Sequence, residues 1–494
     1  MSEIKKFFDG KTIFLTGATG YLGSALIEKL LRCCSGVKII YCVVRVKQSL
    51  SIEQRYEEWC SSVIFDKIKE NNNDVLKKVV FVKGDLGENR LGLNDEDFDV
   101  LTNEVNCVFH VGAEVKFVDV IDRLLLNNVF GTNETLLLAK QVKNLQTFVY
   151  VSSAFAQCNK YTVEETMYEN ELNGENMLML LKMFDGKRLN EMSPIILNDF
   201  PNPYTATKSL AEDLIRRTAG DLPIAVVRPT IITPALEEPL PGWTNQYQTY
   251  VKLFTFYAIG LSHIMPTRPG TALDVIPLDY VVNLILATTW ELGSSHCFKN
   301  ATKAIKVYNQ GTTHHNPLPL KKFETLLDRY DSMLPSNRKM WHRFVLLTTN
   351  GIMKQLMFVF HLPIMFLLDV ANILLGKSPK YVKLYQKMHF LLSLSEHFIE
   401  NSWLFKTNNT KRLWEKLDEV DKKIFNFDES TIDWDSAVYT FVNGSRLYVL
   451  KETPDTLPKA QVRRHILKVL HYFTVFVYLC IFLVLVTLLL KCLL

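Results

Sequence analysis

The segment Tyr204-Thr-Ala-Thr-Lys208 spaces a phenol and an ammonium to act on one ligand. On a helix, positions i and i+4 share a face, so both groups reach the same side. A free phenol titrates at roughly pH 10, too high to exchange protons readily at neutrality. A neighbouring positive charge favours the phenolate and lowers that value. Ser152 and Ser153 end the run FVYVSS and offer hydroxyls that can hold a carbonyl oxygen beside Tyr204. Ser153 is the preferred one, and Ser152 reads as a turn hydroxyl bonded to backbone. Phenol, ammonium and hydroxyl together suit proton transfer to a carbonyl.

YxxxK alone is common by chance, and its weight here comes from what precedes it. Thr16-Gly-Ala-Thr-Gly-Tyr-Leu-Gly23 follows an apolar strand and opens a helical pattern. Gly17, Gly20 and Gly23 permit a tight turn, close backbone approach to a pyrophosphate, and helix–strand packing. The N–H groups of Tyr21 and Leu22 begin the helix, whose positive end suits phosphate. The second strand ends in Arg45, with Lys47 nearby, where an NAD-selective site places an acid. A guanidinium there suits a 2′-phosphate, so the expected cofactor is NADPH. The other reading of Arg45 is a solvated strand-end charge. Asp85 and Leu86 close the third strand and can hold the adenine, and Gly112 and Ala113 close the fourth and let the cofactor pass. Lys208 can also hold the nicotinamide ribose. Asn128 either orders a water or the surroundings of Lys208, or is an ordinary helix-interior asparagine.

These residues need a scaffold of parallel strands. KTIFLTGA, VKIIYCVVR, KKVVFVKGD, VNCVFHVGA, QTFVYVSSA and LPIAVVRPT each read as a buried strand. Tyr21–Arg32 and Leu124–Val142 have helical spacing between them. That alternation predicts an α/β fold, a doubly wound parallel Rossmann sheet with ligands at the carboxyl ends of its strands. The expected organisation is a nucleotide-binding domain over 10–295, a linker over 296–345 and a mainly helical domain over 346–452. A basic linker over 453–468 and a transmembrane helix over 469–490 follow.

The chain has 494 residues, 48% hydrophobic and 22% charged, which excludes a disordered or low-complexity protein. Fifty-six basic and 52 acidic side chains give +4, a balance that does not suit nucleic-acid binding. Nine cysteines are scattered, Cys33 beside Cys34, with no CxxC pair; a disulfide framework or zinc site is not expected, and a reducing compartment is. Cys158 reads as a buried structural thiol, and His314 and His315 as solvated. No metal site is expected.

From Tyr472 to Leu490 there is no charged residue. Nineteen residues make a helix of about 28 Å, close to a hydrocarbon core of about 30 Å. Tyr472, Phe473, Phe476 and Tyr478 mark its N-terminal side, preceded by Arg463, Arg464 and Lys468 and followed by Lys491. The expectation is a single-pass C-terminal anchor in the endoplasmic reticulum or peroxisome, with the catalytic part and its sequons at Asn133, Asn300, Asn408 and Asn443 in the cytosol. Leu356–Leu375 is a second apolar segment, read as a buried helical hairpin or a surface in the membrane interface rather than a second span.

TGATGYLG, CVVR, GDL, FVYVSSAFAQC, FPNPYTATKSLAE, VVRPTII, EPLPGW and DVIPLDYVVN stand in the order of one family. Together they resemble the extended short-chain dehydrogenase/reductases, in particular the alcohol-forming fatty acyl-CoA reductases. HLPIMFLLDVANILLGKSPK, NSWLFKTNNTKRLWEKL and the stretch from FNFDEST resemble that family's sterile domain, so the resemblance covers about residues 10–452. It implies Ser153, Tyr204 and Lys208 as the catalytic group, and Gly17, Gly20, Gly23, Arg45 and Asp85 as cofactor contacts. It further implies NADPH-dependent reduction of a long-chain fatty acyl-CoA to a primary alcohol and CoA through a bound aldehyde. Ser153 departs mildly from the threonine frequent there, and the stretch after PGW departs more. Alternatives are a reductase of another lipid-soluble carbonyl and a catalytically silent NADP-binding membrane scaffold. The complete Ser/Tyr/Lys set weighs against the scaffold.

Overall fold

The computed structural model describes residues 2–46, 50–115, 120–245, 249–268, 270–294 and 304–493. Seven parallel strands form the main sheet: β1 (Thr12–Thr16), β2 (Ile39–Val44), β3 (Val79–Lys83), β4 (Cys107–His110), β5 (Thr147–Val151), β6 (Ile224–Pro229) and β7 (Lys306–Gln310). Their order is β7-β6-β5-β4-β1-β2-β3, with the chain reversing direction of progress at β1 and β4. Ligands bind at such a reversal, outside the carboxyl ends of the strands. Six of these strands coincide with the apolar runs of the sequence. Strands covered on both faces bury every position, as β1 and β5 do.

Among the helices that flank the sheet are α1 (Tyr21–Cys33), α2 (Gly131–Gln141), α3 (Pro203–Thr218) and α4 (Leu278–Ser294). Leu136 and Ala139 of α2 and Ala211 and Ile215 of α3 share one apolar cluster with Phe14, Val108, Phe148, Tyr150 and Val226. Register then fixes a row across the strand ends: Thr16 pairs with His110, His110 with Tyr150, and Tyr150 with Val226. Because side chains alternate faces, the whole row points toward α2 and α3.

The chain divides into two compact units that interleave in sequence. The first holds Met1–Trp243, Leu273–Leu318 and Ser402–Ile432; the second holds Thr244–Ala272, Pro319–Asn401 and Asp433–Leu494. The stretch 296–345, expected as a linker, carries β7 and the helix Leu320–Met333. β7 has only Val307 and Tyr308 as apolar residues before Asn309 and Gln310, too short a run to stand out, yet both faces are buried. Within the stretch expected as one helical domain, Ser402–Ile432 returns to the sheet unit. Leu404–Phe405 there pairs in parallel with Thr162–Val163, and Asn409 Nδ2 donates to the Val307 carbonyl at 3.0 Å.

The second unit contains α5 (Gly351–Leu374), α6 (Tyr381–Glu400) and α7 (Leu457–Leu493). α5 and the helix ending the chain are the two described helices long and apolar enough to cross a membrane. The expected basic linker is itself helical from Leu457 onward, because Pro458 lies in the first turn, where its missing N–H costs nothing. α5 is not a buried helix: Phe366, Leu367 and Leu374 on it are exposed.

Candidate active site

Gly17 takes φ +78° at the end of β1, and a Cβ there would lie 2.7 Å from Gly112 Cα. A Cβ on Gly23 would lie 2.2 Å from the Gly17 carbonyl oxygen. Both glycines therefore let the first turn press against the fourth strand's end and its own helix. Gly20 caps α1 with no side-chain hydrogen bond, so the helix begins without a side-chain cap. The Tyr21 phenol points elsewhere, donating to the Thr233 carbonyl at 3.0 Å and stacking on Trp243 with 5.1 Å between rings.

Thr16 joins the loop to the sheet. Its Oγ1 accepts the Gly112 N–H at 3.0 Å and lies 2.7 Å from His110 Nδ1. His110 Nε2 lies 3.0 Å from Thr132 Oγ1, whose own proton goes to the Asn128 carbonyl at 2.6 Å. Thr132 can only accept from the ring, so Nε2 carries the imidazole proton and Nδ1 accepts from Thr16. Burial, with the positive charge of Lys208, pushes His110 down to about 3, and it stays neutral. Its ring stacks on Tyr150 at 5.4 Å.

Tyr204 and Lys208 lie on α3, which begins with Asn202 accepting the Thr205 N–H at 3.0 Å and Pro203 in the first turn. The Ser153 hydroxyl lies close enough to the Tyr204 phenol to favour the phenolate. Ser153 caps the short turn Ala154–Gln157, and its Oγ accepts the Phe155 N–H at 3.2 Å. Burial pushes Tyr204 up to about 12, against the contact with Ser153 that lowers it. The expected lowering by Lys208 is absent, because the ammonium bonds elsewhere: Nζ donates to the Val151 carbonyl at 2.8 Å and to Tyr150 OH at 3.3 Å. Burial brings Lys208 down to about 7, opposed by the negative charge of Glu212. Glu212 is held by Arg228 Nε and Nη2 at 2.8 and 2.7 Å, both side chains fully buried.

Asn128 ties this helix to the end of β4. Its Nδ2 donates to Thr207 Oγ1 at 3.0 Å, and its Oδ1 accepts the Glu114 N–H at 2.8 Å, so its amide reaches the turn between Tyr204 and Lys208 rather than Lys208 itself. Ser152 is not bonded to backbone through its hydroxyl: Oγ is buried with no partner among the described residues. Cys158 is buried, its thiol pushed up to about 12, and its carbonyl accepts Trp403 Nε1–H at 2.9 Å. His314 and His315 are exposed.

At the other end of the loop, Arg45 Nε lies 4.0 Å from Asp85 Oδ2. Leu86 packs where a Cβ on Gly112 or Gly131 would stand, 2.9 and 2.8 Å from its atoms. Arg55, on the helix Ile52–Cys60, donates to the Arg45 carbonyl and approaches Thr19 Oγ1 at 3.5 Å. Burial and the charge of Arg45 both hold its guanidinium below the usual value. Sequence reasoning missed Arg55, His110 and Tyr150, since nothing local marks them; the polar residues inside the apolar strands β4 and β5 were the available signal. Lys47 and Asn300 lie outside the described residues. A helix N-terminus without a side-chain cap at a glycine turn, a close passage over Gly112 and the orphaned Ser152 hydroxyl fit a dinucleotide laid from Arg45 to Tyr204.

Residues 15–285 and 360–452 match two family models, each described as male sterility protein. The chain is 33% identical to rat fatty acyl-CoA reductase 1 over 469 residues, covering 95% of this chain and 90% of that one. The chain belongs to the fatty acyl-CoA reductase family. The human fatty acyl-CoA reductase 1 is 32% identical over the same coverage, and the Drosophila melanogaster reductase wat is 31% identical over 97% of this chain and 91% of its own. Among solved structures, the terminal R domain of the myxalamid biosynthetic pathway has a TM-score of 0.58 at 19% identity, covering 88% of this chain and 90% of that one. A reductase domain of a Mycobacterium tuberculosis nonribosomal peptide synthetase has 0.58 at 18%, covering 89% and 92%. These two share the fold, the extended short-chain dehydrogenase/reductase sheet with a mainly helical C-terminal part. As a family member the chain is an oxidoreductase that uses a nicotinamide cofactor.

Proposed function

We propose that the protein reduces a long-chain fatty acyl-CoA to the primary alcohol and free CoA, using NADPH, at the site between Ser153, Tyr204 and Lys208. The observation that carries this is the neighbouring Ser153 and Tyr204 hydroxyls, with the buried Lys208 held on the Val151 carbonyl one turn further along α3. Its relatives are named for fatty acyl-CoA reduction.

Gly17, Gly20 and the first N–H groups of α1 would hold the pyrophosphate, Asp85 and Leu86 the adenosine, and Lys208 the nicotinamide ribose. Gly112, Ala113 and the Thr16–Gly112 bond keep the passage between them narrow. Arg55 donates to the Arg45 carbonyl and feels the Arg45 charge, an arrangement that the 2′-phosphate of NADPH would stabilise better than a ribose hydroxyl. NADPH bound here would supply one hydride to the thioester carbonyl, and a second NADPH, taking the place of the spent NADP+, would supply another to the aldehyde. Ser153 and Tyr204 bind the carbonyl oxygen as it gains negative charge. Tyr204, with its phenol held at about 12, is protonated at neutral pH and donates that proton to the oxygen. The hemithioacetal then expels CoA as the thiolate while its hydroxyl proton returns to Tyr204, giving the aldehyde, which the same two hydroxyls hold for the second reduction.

α7 anchors the chain in a bilayer, its apolar stretch crossing once, with the sheet unit in the cytosol. That placement suits a lipid-soluble chain and product. The test is the full chain in phosphatidylcholine vesicles with palmitoyl-CoA and either NADPH or NADH. Hexadecanol formed with NADPH supports the proposal. Cofactor binding without turnover on any long-chain acyl-CoA would sink it in favour of a silent scaffold.

A further inference from the structure

α5 is an apolar helix whose outer side has no protein against it among the described residues. Ile352, Leu356, Phe366, Leu367, Ile373 and Leu374 are exposed, the last at 81%. Their spacing of 4, 14, 15, 21 and 22 residues from the first puts them within an arc of about 120°. The inner side is different. Met365 is buried with Tyr385 and Met388 of α6, Phe358 stacks on Tyr385 at 5.7 Å, and Lys354 is paired with Glu396 and Glu400.

The turn that joins α5 to α6 is closed on itself. Asp369 accepts the N–H groups of Lys380, Tyr381 and Val382 at 2.6, 2.8 and 2.9 Å. Gly376 N donates to the Ile373 carbonyl at 3.0 Å and Lys377 N to the Asn372 carbonyl at 2.8 Å. Backbone groups met internally are what contact with hydrocarbon demands. From residue 370 to 395 there is no Asp or Glu, while Lys377, Lys380, Lys383 and Lys387 all stand exposed.

We propose that α5 lies in the plane of a bilayer surface, its outer stripe sunk among acyl chains and these four lysines on anionic headgroups. This rests on the membrane reading of α7, which belongs to the same unit. α5 does not cross. α6 folds back along it carrying Lys383, Lys387, Glu396 and Glu400, so a crossing would drag those charges through hydrocarbon. An in-plane helix with an apolar stripe and flanking lysines meets each group with its own solvent. The four lysines favour an anionic lipid surface over a protein partner, since no Asp or Glu between residues 370 and 395 offsets them.

The test uses the full chain reconstituted in vesicles of phosphatidylcholine alone or with phosphatidylserine, each containing a photoactivatable diazirine phospholipid, followed by peptide mapping of the labelled sites. Label on Phe366, Leu367 and Leu374 as well as on α7, with His361 and Met365 unlabelled, supports the proposal. Phe366→Glu with Leu367→Glu should remove the α5 label and leave the α7 label unchanged. Phosphatidylserine should raise the α5 label, and Lys377→Gln with Lys383→Gln should cut that rise by about fivefold per lysine. Label on α7 alone overturns the proposal. So does label on both sides of α5. Absence of label from α7 overturns the membrane reading beneath it instead.

Discussion

Thr16 Oγ1 and His110 Nδ1 lie 2.7 Å apart, one at the end of β1 and the other at the end of β4. Through this contact the glycine turn and the strand ends share one buried polar row, Thr16–His110–Tyr150, that ends on Lys208. His110→Ala leaves the Thr16 and Thr132 oxygens short of a partner in the core. The expected loss is about 1–3 kcal/mol of stability at neutral pH, read by thermal unfolding of the detergent-solubilised chain. The folded value of about 3 lies below the free value of 6.5, so the unfolded chain binds the extra proton first. Stability therefore falls as pH drops from 6.5 toward 3, and the variant lacks that share of the fall.

Tyr204→Phe keeps the ring and removes the proton donor. Turnover of acyl-CoA should fall by about a hundredfold or more, while NADPH still quenches or enhances fluorescence on binding as in the parent. Ser153→Thr keeps a hydroxyl and should retain most activity; Ser153→Ala should not. Equal activity in all three variants would remove both residues from the chemistry.

Lys208 is held at about 7 by burial, below its free value of 10.5. The unfolded chain binds more protons between these values, so stability rises with pH across that window. One group contributes a slope of at most about 1.4 kcal/mol per pH unit. Lys208→Met should flatten the rise, measured as unfolding temperature against pH from 7 to 10. In the parent, kcat/KM should decline above pH 7 as the ammonium that holds the ribose is lost.

Arg45→Ala and Arg55→Ala should each raise KM for NADPH about tenfold or more, since each removes a charge-assisted contact, and change KM for NADH little. A parallel rise for both cofactors would mean that the arginines serve the fold and not the 2′-phosphate.

Six strands, the glycine turn and the Tyr204–Lys208 spacing were legible because each is a local pattern, a run of apolar residues or a fixed interval. Other features depend on pairing across long stretches. β7 exists because Val307 and Tyr308 meet β6, more than eighty positions earlier in the chain. Arg55 matters only because its helix turns back over the Arg45 carbonyl. The lowered phenol was expected from the ammonium four residues away, yet the nearer Val151 carbonyl and Tyr150 hydroxyl take that ammonium. Helical spacing gives the face a side chain shares, not the partner that wins it.

The return of Ser402–Ile432 to the sheet unit sets an order on biosynthesis. Trp403 donates to the carbonyl of Cys158, and Leu404–Phe405 pairs with the strand at Thr162–Val163. A ribosome must have translated past residue 432 before the half that carries Ser153 can be complete. Fragments cut anywhere ahead of that point, however natural the boundary looks, should emerge as client chains for chaperones and not as working enzyme.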